Sequence, residues 1–295
     1  MNLLPKSILV PTDFSETAEQ ALRFAQRLAL NLGAELHLVH VQVLLEGQEQ
    51  DEALEEEITR MRERLEEDCR GRVEQLPENF QIQSHLKRGL AVAESISESI
   101  NEYKADLVVI GSNGRRGLRH LLLGSVAEEI LRTAEIPVVS VRRGANIEET
   151  SAGSILIPYD FSSRSDEALG LGIQWARALG LKVTLLHAVE PIVYPDFYAV
   201  NAMPIEVLSD VEERAQKALK ELAEKRMKGI EYAIEVVHDR AAEAVLSAAK
   251  ADRQDLIIMG NRGLSGLEHL LLGSVVEAVV RRAEIPVLSV RSNRS

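Results

Sequence analysis

The chain repeats itself, and this duplication limits its possible folds more than any other feature of the sequence. The stretch SILVPTDFS at 7–15 returns as SILIPYDFS at 154–162. Near the end of each copy, AEIPVVSVR at 134–142 returns as AEIPVLSVR at 283–291. The offset is 147 residues for the first pair and 149 for the second, so the second copy is about two residues longer than the first. The sequence therefore predicts two domains of the same fold.

Length and composition agree with two globular domains of ordinary size. The chain has 295 residues, of which 45% are hydrophobic and 27% are charged. We place domain 1 at 1–143 and domain 2 at 154–295, joined by a polar linker at 144–153. No apolar run approaches the roughly 18 residues that span a bilayer, and the first residues lack the features of a signal peptide. Cys69 is the only cysteine, which predicts a reducing compartment. Together with the missing membrane and signal segments, this predicts a cytoplasmic location without membrane contact.

The net charge of −12 argues against a nucleic-acid partner, because proteins that bind nucleic acid need a basic surface for the phosphates. The same charge limits how a phosphorylated small ligand could be held. Because its acidic side chains outnumber the basic ones, the protein is expected to bind phosphate through backbone amides, a helix N-terminus or a metal ion.

Short apolar runs alternate with helical patterns in each copy. In the first copy the strand-like runs lie at 7–10, 35–43, 80–86, 107–110 and 136–141. The helical patterns lie at 16–32, 53–76, 92–102 and 125–133. Ser15 is the expected N-cap of the first helix, Gly33 ends it, and Pro11 ends the first strand. The alternation predicts an α/β fold with a doubly wound parallel sheet, which binds ligands beyond the carboxyl ends of its strands.

A glycine-rich stretch follows the fourth strand of each copy. GSNGRRGLRHLLLGSV begins at Gly111 and returns as GNRGLSGLEHLLLGSV from Gly260. Gly111 and Gly114 are expected to permit positive φ and close approach by a ligand. Gly124 and Ser125 are expected to offer free amides and a hydroxyl at a helix N-terminus, where the helix dipole favours an anion. The stretch predicts a phosphate cradle, although it has neither the P-loop lysine nor the Rossmann glycine spacing.

These motifs together resemble the universal stress protein family, in its ATP-binding form. The pattern G-x2-G-x9-G-[ST], with VPTDFS at the first strand and IPVVSV at the last, occurs in both copies with small changes. The resemblance covers nearly the whole chain as a tandem pair. It implies two domains of the adenine nucleotide alpha hydrolase-like fold, each with a five-stranded parallel sheet in the order 3-2-1-4-5.

The resemblance also implies the residues of a nucleotide site in each domain. Adenosine would contact residues after strand one and at the end of strand two. The ribose and phosphates would contact the glycine-rich stretch. In domain 1 these residues are Pro11, Thr12, Asp13, Val41, Gly111, Gly114, Arg115, Gly124, Ser125 and Val126. In domain 2 they are Pro158, Tyr159, Asp160, Ala188, Gly260, Gly263, Gly273, Ser274 and Val275.

The copies differ inside this pattern. Tyr159 replaces Thr12, which places a bulky ring near the adenine end of the second site. Leu264 replaces Arg115, and the second unit has Arg262 one place before Gly263 instead. The implied cofactor is ATP or another adenine nucleotide. Mg²⁺ would arrive with its phosphates, because no set of side chains with metal-binding spacing is present and Mg²⁺ commonly uses few protein ligands.

Other recurring residues allow two interpretations. Asp13 and Asp160 could simply cap the turn after the first strand, but their recurrence beside a phosphate loop favours ligand contact. His120 and His269 recur within the glycine-rich stretch, where a structural or interface role is favoured over catalysis. No catalytic residue is predicted.

The leading functional hypothesis is a cytoplasmic ATP-binding stress or regulatory protein whose nucleotide state affects assembly or partner choice. The alternatives are a slow ATPase or phosphotransferase, and a chaperone-like interaction protein with a ligand other than ATP. The last strands, IPVVSV and IPVLSV, would lie at sheet edges and are too apolar to leave exposed. We therefore expect a pseudo-twofold pairing of the two domains through these strands, which could also form a homodimer.

Overall fold

The computed structural model describes residues 4–43, 56, 59–60, 63, 82–113, 123–142, 144–145, 153–190, 205–251, 254–261 and 272–291. Apart from its extreme ends, the chain divides into two compact units, Leu3–Ile147 and Glu148–Arg294. Each unit is built from alternating strands and helices, as the repeat predicts. The exact domain boundaries at 1–143 and 154–295 stay a prediction.

The first unit contains a parallel sheet whose strands do not follow chain order. Its elements are β1 Ser7–Thr12, α1 Glu16–Leu32, β2 Glu35–Val43, β3 Ile82–Gly89, α2 Val92–Glu102, β4 Leu107–Gly111, α3 Ser125–Thr133 and β5 Val138–Val141. The strand order is β3-β2-β1-β4-β5, and every one of these neighbouring pairs is parallel. The predicted order 3-2-1-4-5 is therefore confirmed for this unit.

The second unit repeats the arrangement. Its elements are β6 Ser154–Pro158, α4 Ser163–Leu179, β7 Lys182–Val189, α5 Ile205–Arg226, β8 Tyr232–His238, α6 Ala241–Ala251, β9 Leu256–Gly260, α7 Ser274–Arg282 and β10 Val287–Val290. Its sheet runs β8-β7-β6-β9-β10, again with all neighbours parallel. The strand order reverses between β1 and β4 in one unit and between β6 and β9 in the other, which is where ligands bind in sheets of this type.

The central strands form the core of each unit. In the first unit Ile8, Leu9, Val108 and Val109 are completely buried. Strands covered by helices on both faces read as continuous apolar runs rather than alternating ones. The runs SILV and DLVVIG therefore predict β1 and β4 correctly as central strands.

Local signals place the ends of the first helix of each unit. The hydroxyl of Ser15 accepts from the N–H of Ala18 at 3.2 Å, and Gly33 ends α1 with φ 69°. In the second unit Ser162 and Gly180 do the same for α4, with φ 68° at the glycine. Both the predicted cap and the predicted stop are confirmed, because each depends on neighbours only a few residues away.

The prediction that Pro11 ends the first strand is wrong. Strand β1 continues to Thr12, with Pro11 opposite Val39 and Thr12 opposite His40 of β2. Proline removes only one backbone donor, so the pairing with a long neighbour continues past it.

Two other strands begin or end differently from the prediction. Strand β3 continues to Gly89 rather than ending at residue 86, because β2 offers it a partner as far as Val43. Strand β5 begins at Val138 rather than at residue 136, directly after Pro137. The predicted helix at 53–76 lies outside the described residues except for four helical residues, Glu56, Thr59, Arg60 and Glu63.

Candidate functional site

A tight polar turn follows β1 and includes the predicted aspartate. Oδ1 of Asp13 accepts from the N–H of Ser15 at 3.0 Å, and Oγ1 of Thr12 accepts from the N–H of Phe14 at 3.1 Å. The second unit has the same turn, in which Oδ1 of Asp160 accepts from a serine N–H at 3.0 Å. The capping role of the two aspartates is therefore present, and contact with a ligand stays a prediction.

The phenylalanine of this turn is in a strained conformation in both units. Phe14 has φ 61° and Phe161 has φ 63°. A bulky residue with positive φ is a genuine outlier and costs on the order of 1–3 kcal/mol. Such strain clusters at functional sites, and here it recurs at the carboxyl end of the first strand of each unit. No feature of the sequence signals this conformation.

The glycine that ends β4 is explained by packing and not by its backbone angles. The described glycines with positive φ are Gly33, Gly144, Gly180 and Gly229. Gly111 is not among them, so the expectation of a positive φ there is wrong. A Cβ on Gly111 would lie 3.0 Å from the backbone N of Ala18 and from the backbone C of Thr17. The glycine thus allows the first turn of α1 to lie directly on the end of β4.

Gly260 has the same role at the end of β9. A Cβ there would lie 2.9 Å from both the backbone C and the Cβ of Arg164, in the first turn of α4. Real Cβ atoms essentially never come this close to backbone atoms. Each glycine therefore allows a helix N-terminus to pack against the end of a central strand. These contacts lie at the carboxyl ends of the strands, where the nucleotide site is predicted.

The third glycine of the motif is the N-cap of α3. Gly124 has φ −67° and ψ 143°, and its N–H donates to the carbonyl of Ser112 at 2.8 Å. Its own amide is therefore occupied, contrary to the expectation that it is free. The following N–H groups of the first turn, from exposed Ser125 onward, have no acceptor within a helix. Because glycine has no side chain, it cannot cap them.

The N-terminus of α7 repeats this geometry. Gly273 has φ −62° and ψ 145°, and its N–H donates to the carbonyl of Asn261 at 2.9 Å. Ser274 is exposed and Val275 is half-buried, as are Ser125 and Val126 in the first unit. The helices that follow β1 and β6 are capped by a serine side chain, whereas the N-caps of α3 and α7 are glycines, which make no side-chain hydrogen bond to the first-turn amides. The dipole of each helix favours an anion at that position.

The second strand of each sheet extends beyond the first. Strand β1 pairs with β2 as far as His40, whereas Val41 lies beyond that point and is paired with Lys87 of β3. In the second unit, Ala188 lies beyond the end of β6 in the same way. Val41 and Ala188 therefore lie past the last paired residue of the first strand, at the level of the aspartate turn.

Tyr159 points into its own unit. Its side chain is buried, and its hydroxyl donates to Oδ1 of Asp166 on α4 at 3.2 Å. Asp166 also forms an ion pair with Arg226 of α5. The rings of Tyr159 and Phe161 form a T-shaped pair, with 5.2 Å between their centroids. Tyr159, at the end of β6, is thus linked to α4 through Asp166, and through the same carboxylate to Arg226 of α5.

We expect Tyr159 to make the stability of the second unit depend on pH in the alkaline range. Burial, followed by the nearby Asp166 carboxylate, raises the pKa of Tyr159 from 10.0 to about 12. The unfolded chain loses this proton near pH 10 whereas the folded chain keeps it, so the stabilisation is complete below pH 10 and declines between about pH 10 and 12. The melting temperature of Tyr159→Phe should therefore fall less than that of the parent between about pH 10 and 12.

Tyr232→Phe is the matched control for this measurement, because Tyr232 is an exposed tyrosine of β8. Its melting temperature should follow that of the parent across the same pH range. Identical pH dependence of the parent and Tyr159→Phe would contradict the assignment.

Several predicted residues lie outside the described part of the chain. They are Gly114, Arg115, His120, Gly263, Leu264 and His269. Among the residues that the structure does describe, no three His, Cys, Asp or Glu side chains are grouped so that they could hold a metal ion. No helix in the described ranges is long and apolar enough to cross a membrane.

The fold and these strand ends define the class of protein. Each unit is a doubly wound α/β domain whose first and fourth strands end beside an aspartate turn and a glycine-capped helix. The model of the universal stress protein family matches this chain twice, at residues 5–142 and 152–291. The chain belongs to the universal stress protein family.

Curated relatives support the family membership at single-domain and at tandem length. A universal stress protein of Thermus aquaticus is 37% identical over 138 residues, which are 47% of this chain and 98% of the relative. One of Mycolicibacterium smegmatis is 28% identical over 305 residues, covering 96% of each chain. One of Mycobacterium tuberculosis is 31% identical over 194 residues; this match covers 64% of the present chain and only 63% of the relative.

A solved structure supports the fold over the full length. The universal stress protein from Archaeoglobus fulgidus DSM 4304 superimposes with a TM-score of 0.69, over 97% of this chain and 96% of its own. Its sequence identity is 20%, so this similarity concerns the fold alone. The predicted family and fold class are confirmed.

Proposed function

We propose that each unit binds one adenine nucleotide, ATP foremost, and that the protein is a stress-response regulator controlled by this binding. The first nucleotide would lie at the carboxyl ends of β1 and β4, and the second at those of β6 and β9. The observation that carries the proposal is the pair of glycine-capped helices, α3 and α7, each beside an aspartate turn.

The phosphates would be held mainly by the protein backbone. The first-turn amides of α3 and α7 begin at the exposed residues Ser125 and Ser274, where the helix dipole adds a partial positive charge. This mode of binding suits a chain with a net charge of −12. The remaining glycines of the motif, Gly114 and Gly263, would continue the cradle.

The adenosine part would lie between the aspartate turn and the extended second strand. In this proposal Asp13 and Asp160 contact adenosine, and the backbone at Val41 and Ala188 bonds adenine. Mg²⁺ would be bound chiefly by the phosphates, because this ion keeps several waters and needs one or two protein carboxylates at most.

The regulatory part of the proposal concerns assembly. The nucleotide state would alter how the two domains pair, or how the chain forms a homodimer or selects a protein partner. We place this activity in the cytoplasm, as the lone cysteine suggests.

Calorimetry with Mg-ATP tests the proposal directly. We expect a stoichiometry that approaches two nucleotides per chain, and weaker binding of adenosine because it lacks the phosphates that the amides would hold. Size-exclusion chromatography with and without Mg-ATP should show a change in assembly. Absence of binding by ATP, ADP, AMP and adenosine alike would contradict the proposed function.

A further inference from the structure

We propose that Arg164 is a phosphate-binding residue of the second unit, an inference that rests on the proposed nucleotide site. Arg164 is the second residue of α4, and its Nη1 donates to Oδ1 of Asn261 at 3.2 Å. Asn261 directly follows β9 and is the second residue of the glycine-rich stretch. The guanidinium thus lies at the start of the segment that would hold phosphates.

Asn261 connects three elements at this point. Its N–H donates to the carbonyl of Val290, the last residue of β10, at 2.8 Å. Its carbonyl accepts from the N–H of Gly273, the N-cap of α7, at 2.9 Å. Its side-chain amide accepts from Arg164. The arginine is therefore tied to the junction from which the glycine-capped helix begins.

The main chain of Arg164 is also held against this junction. The missing side chain of Gly260 leaves room for it, because a Cβ on that glycine would come within 2.9 Å of Arg164. The position of the arginine is thus set by its backbone and by its guanidinium, so little ordering would be needed when an anion arrives.

The positive charge of Arg164 is not neutralised by a carboxylate within the described ranges. Its guanidinium bonds a neutral amide, whereas Arg226, Arg281 and Arg282 of the same unit each pair with a carboxylate. A guanidinium has five N–H donors. Arg164 therefore keeps both charge and donors for an anion.

The first unit has no cation at the equivalent positions. The counterpart of Arg164 is Thr17, which is buried, and the counterpart of Asn261 is Ser112. In the sequence, the first unit carries Arg115 directly after the second glycine of its motif, where the second unit has Leu264. The second unit also carries Arg262 one place before its own second glycine, and Arg164 adds a cation on a helix for which the first unit has no equivalent.

The test compares Mg-ATP and adenosine binding by the full-length chain in two-site calorimetry. Arg164→Gln should weaken one of the two ATP-binding events at least about tenfold, since charge-assisted hydrogen bonds are lost. The other ATP event and the affinity for adenosine should stay unchanged. Arg164→Lys keeps the charge and should bind ATP more tightly than Arg164→Gln.

Arg177→Gln is the matched control, because it makes the same change of charge near the other end of α4. It should bind ATP as the parent does. The role of Arg164 is overturned if Arg164→Gln leaves both ATP events unchanged, or if adenosine binding weakens as much as ATP binding. A parent chain that binds neither ligand would instead overturn the proposed function, and the phosphate role of Arg164 with it.

Discussion

A chain carrying Gly124→Asp should lose nucleotide binding in its first unit while that unit becomes no less stable. The N-cap of α3 has φ −67° and ψ 143°, which any residue adopts without strain. Aspartate is among the best N-caps, so its carboxylate would accept from the first-turn amides and stabilise the helix. The same carboxylate would occupy those amides and repel a phosphate. We expect affinity in the first unit to fall on the order of 100-fold or more.

A series at this position separates charge, occupation of the amides and helix stability. Gly124→Asn caps the amides without charge, and Gly124→Ala adds only a methyl group. Stability should rank aspartate and asparagine above glycine, and glycine above alanine, with a span of about 1 kcal/mol. Nucleotide affinity should instead be lowest for aspartate, intermediate for asparagine and highest for glycine and alanine.

Two-site calorimetry and thermal melting measure the two rankings on the same samples. Gly273→Asp should remove the second binding event and leave the first, which provides a matched control within one chain. If Gly124→Asp binds two nucleotides as tightly as the parent, the amides of α3 do not hold phosphate. If affinity simply follows stability through the series, the role of this glycine is structural.

Replacing Gly260 by alanine should destabilise the second unit even without any ligand. The new Cβ would lie 2.9 Å from the backbone C of Arg164, and neither the end of β9 nor the first turn of α4 can move away without disturbing the core. Overpacking of this kind costs about 1–3 kcal/mol. Gly111→Ala should destabilise the first unit for the same reason, because its new Cβ would lie 3.0 Å from the backbone of Thr17 and Ala18.

Gly170→Ala is the control, because we expect it to change the free energy of unfolding in the opposite direction. Gly170 lies inside α4, and a Cβ there would meet only the guanidinium end of Arg226, at 3.5 Å. Alanine in a helix interior is favoured over glycine by about 0.5–1 kcal/mol, so this variant should be more stable than the parent. Denaturant unfolding measures both changes. If Gly260→Ala is as stable to denaturant as the parent but no longer binds nucleotide, the glycine is needed for ligand binding rather than for packing.

Much of the architecture could be predicted from the sequence because it depends on short-range signals. The repeated strand and helix patterns predict two α/β units, and the apolar runs at β1 and β4 identify the central strands. Ser15 and Gly33 define the ends of α1 through contacts within a few residues. The predicted strand ends were less accurate. Strand β1 passes Pro11 because the neighbouring β2 continues beside it, and the length of a neighbour cannot be read from a local pattern.

The motif glycines show the same division between sequence and structure. Their spacing correctly indicates strand ends and a helix start, whereas their physical roles required the tertiary structure. Gly111 permits contact with Thr17 and Ala18, more than ninety residues earlier in the chain. Gly124 donates its amide to the carbonyl of Ser112 and, having no side chain, does not cap the amides that follow. The positive φ of Phe14 was also unpredictable, because phenylalanine rarely adopts it.

Other arrangements depend entirely on which strands become neighbours. Nδ1 of His37 lies 3.1 Å from Nε2 of His85, and the ring of Tyr103 stacks on both histidines. Burial lowers the pKa of each histidine, which disfavours the charged form of both rings. Arg164 and Asn261 meet across 97 residues of chain. Side-chain periodicity and caps are local properties, so the sequence by itself determined the family, the repeat and the elements. Contacts between distant residues follow from strand order and helix packing, so only the tertiary structure decided why the glycines are needed and which polar side chains meet.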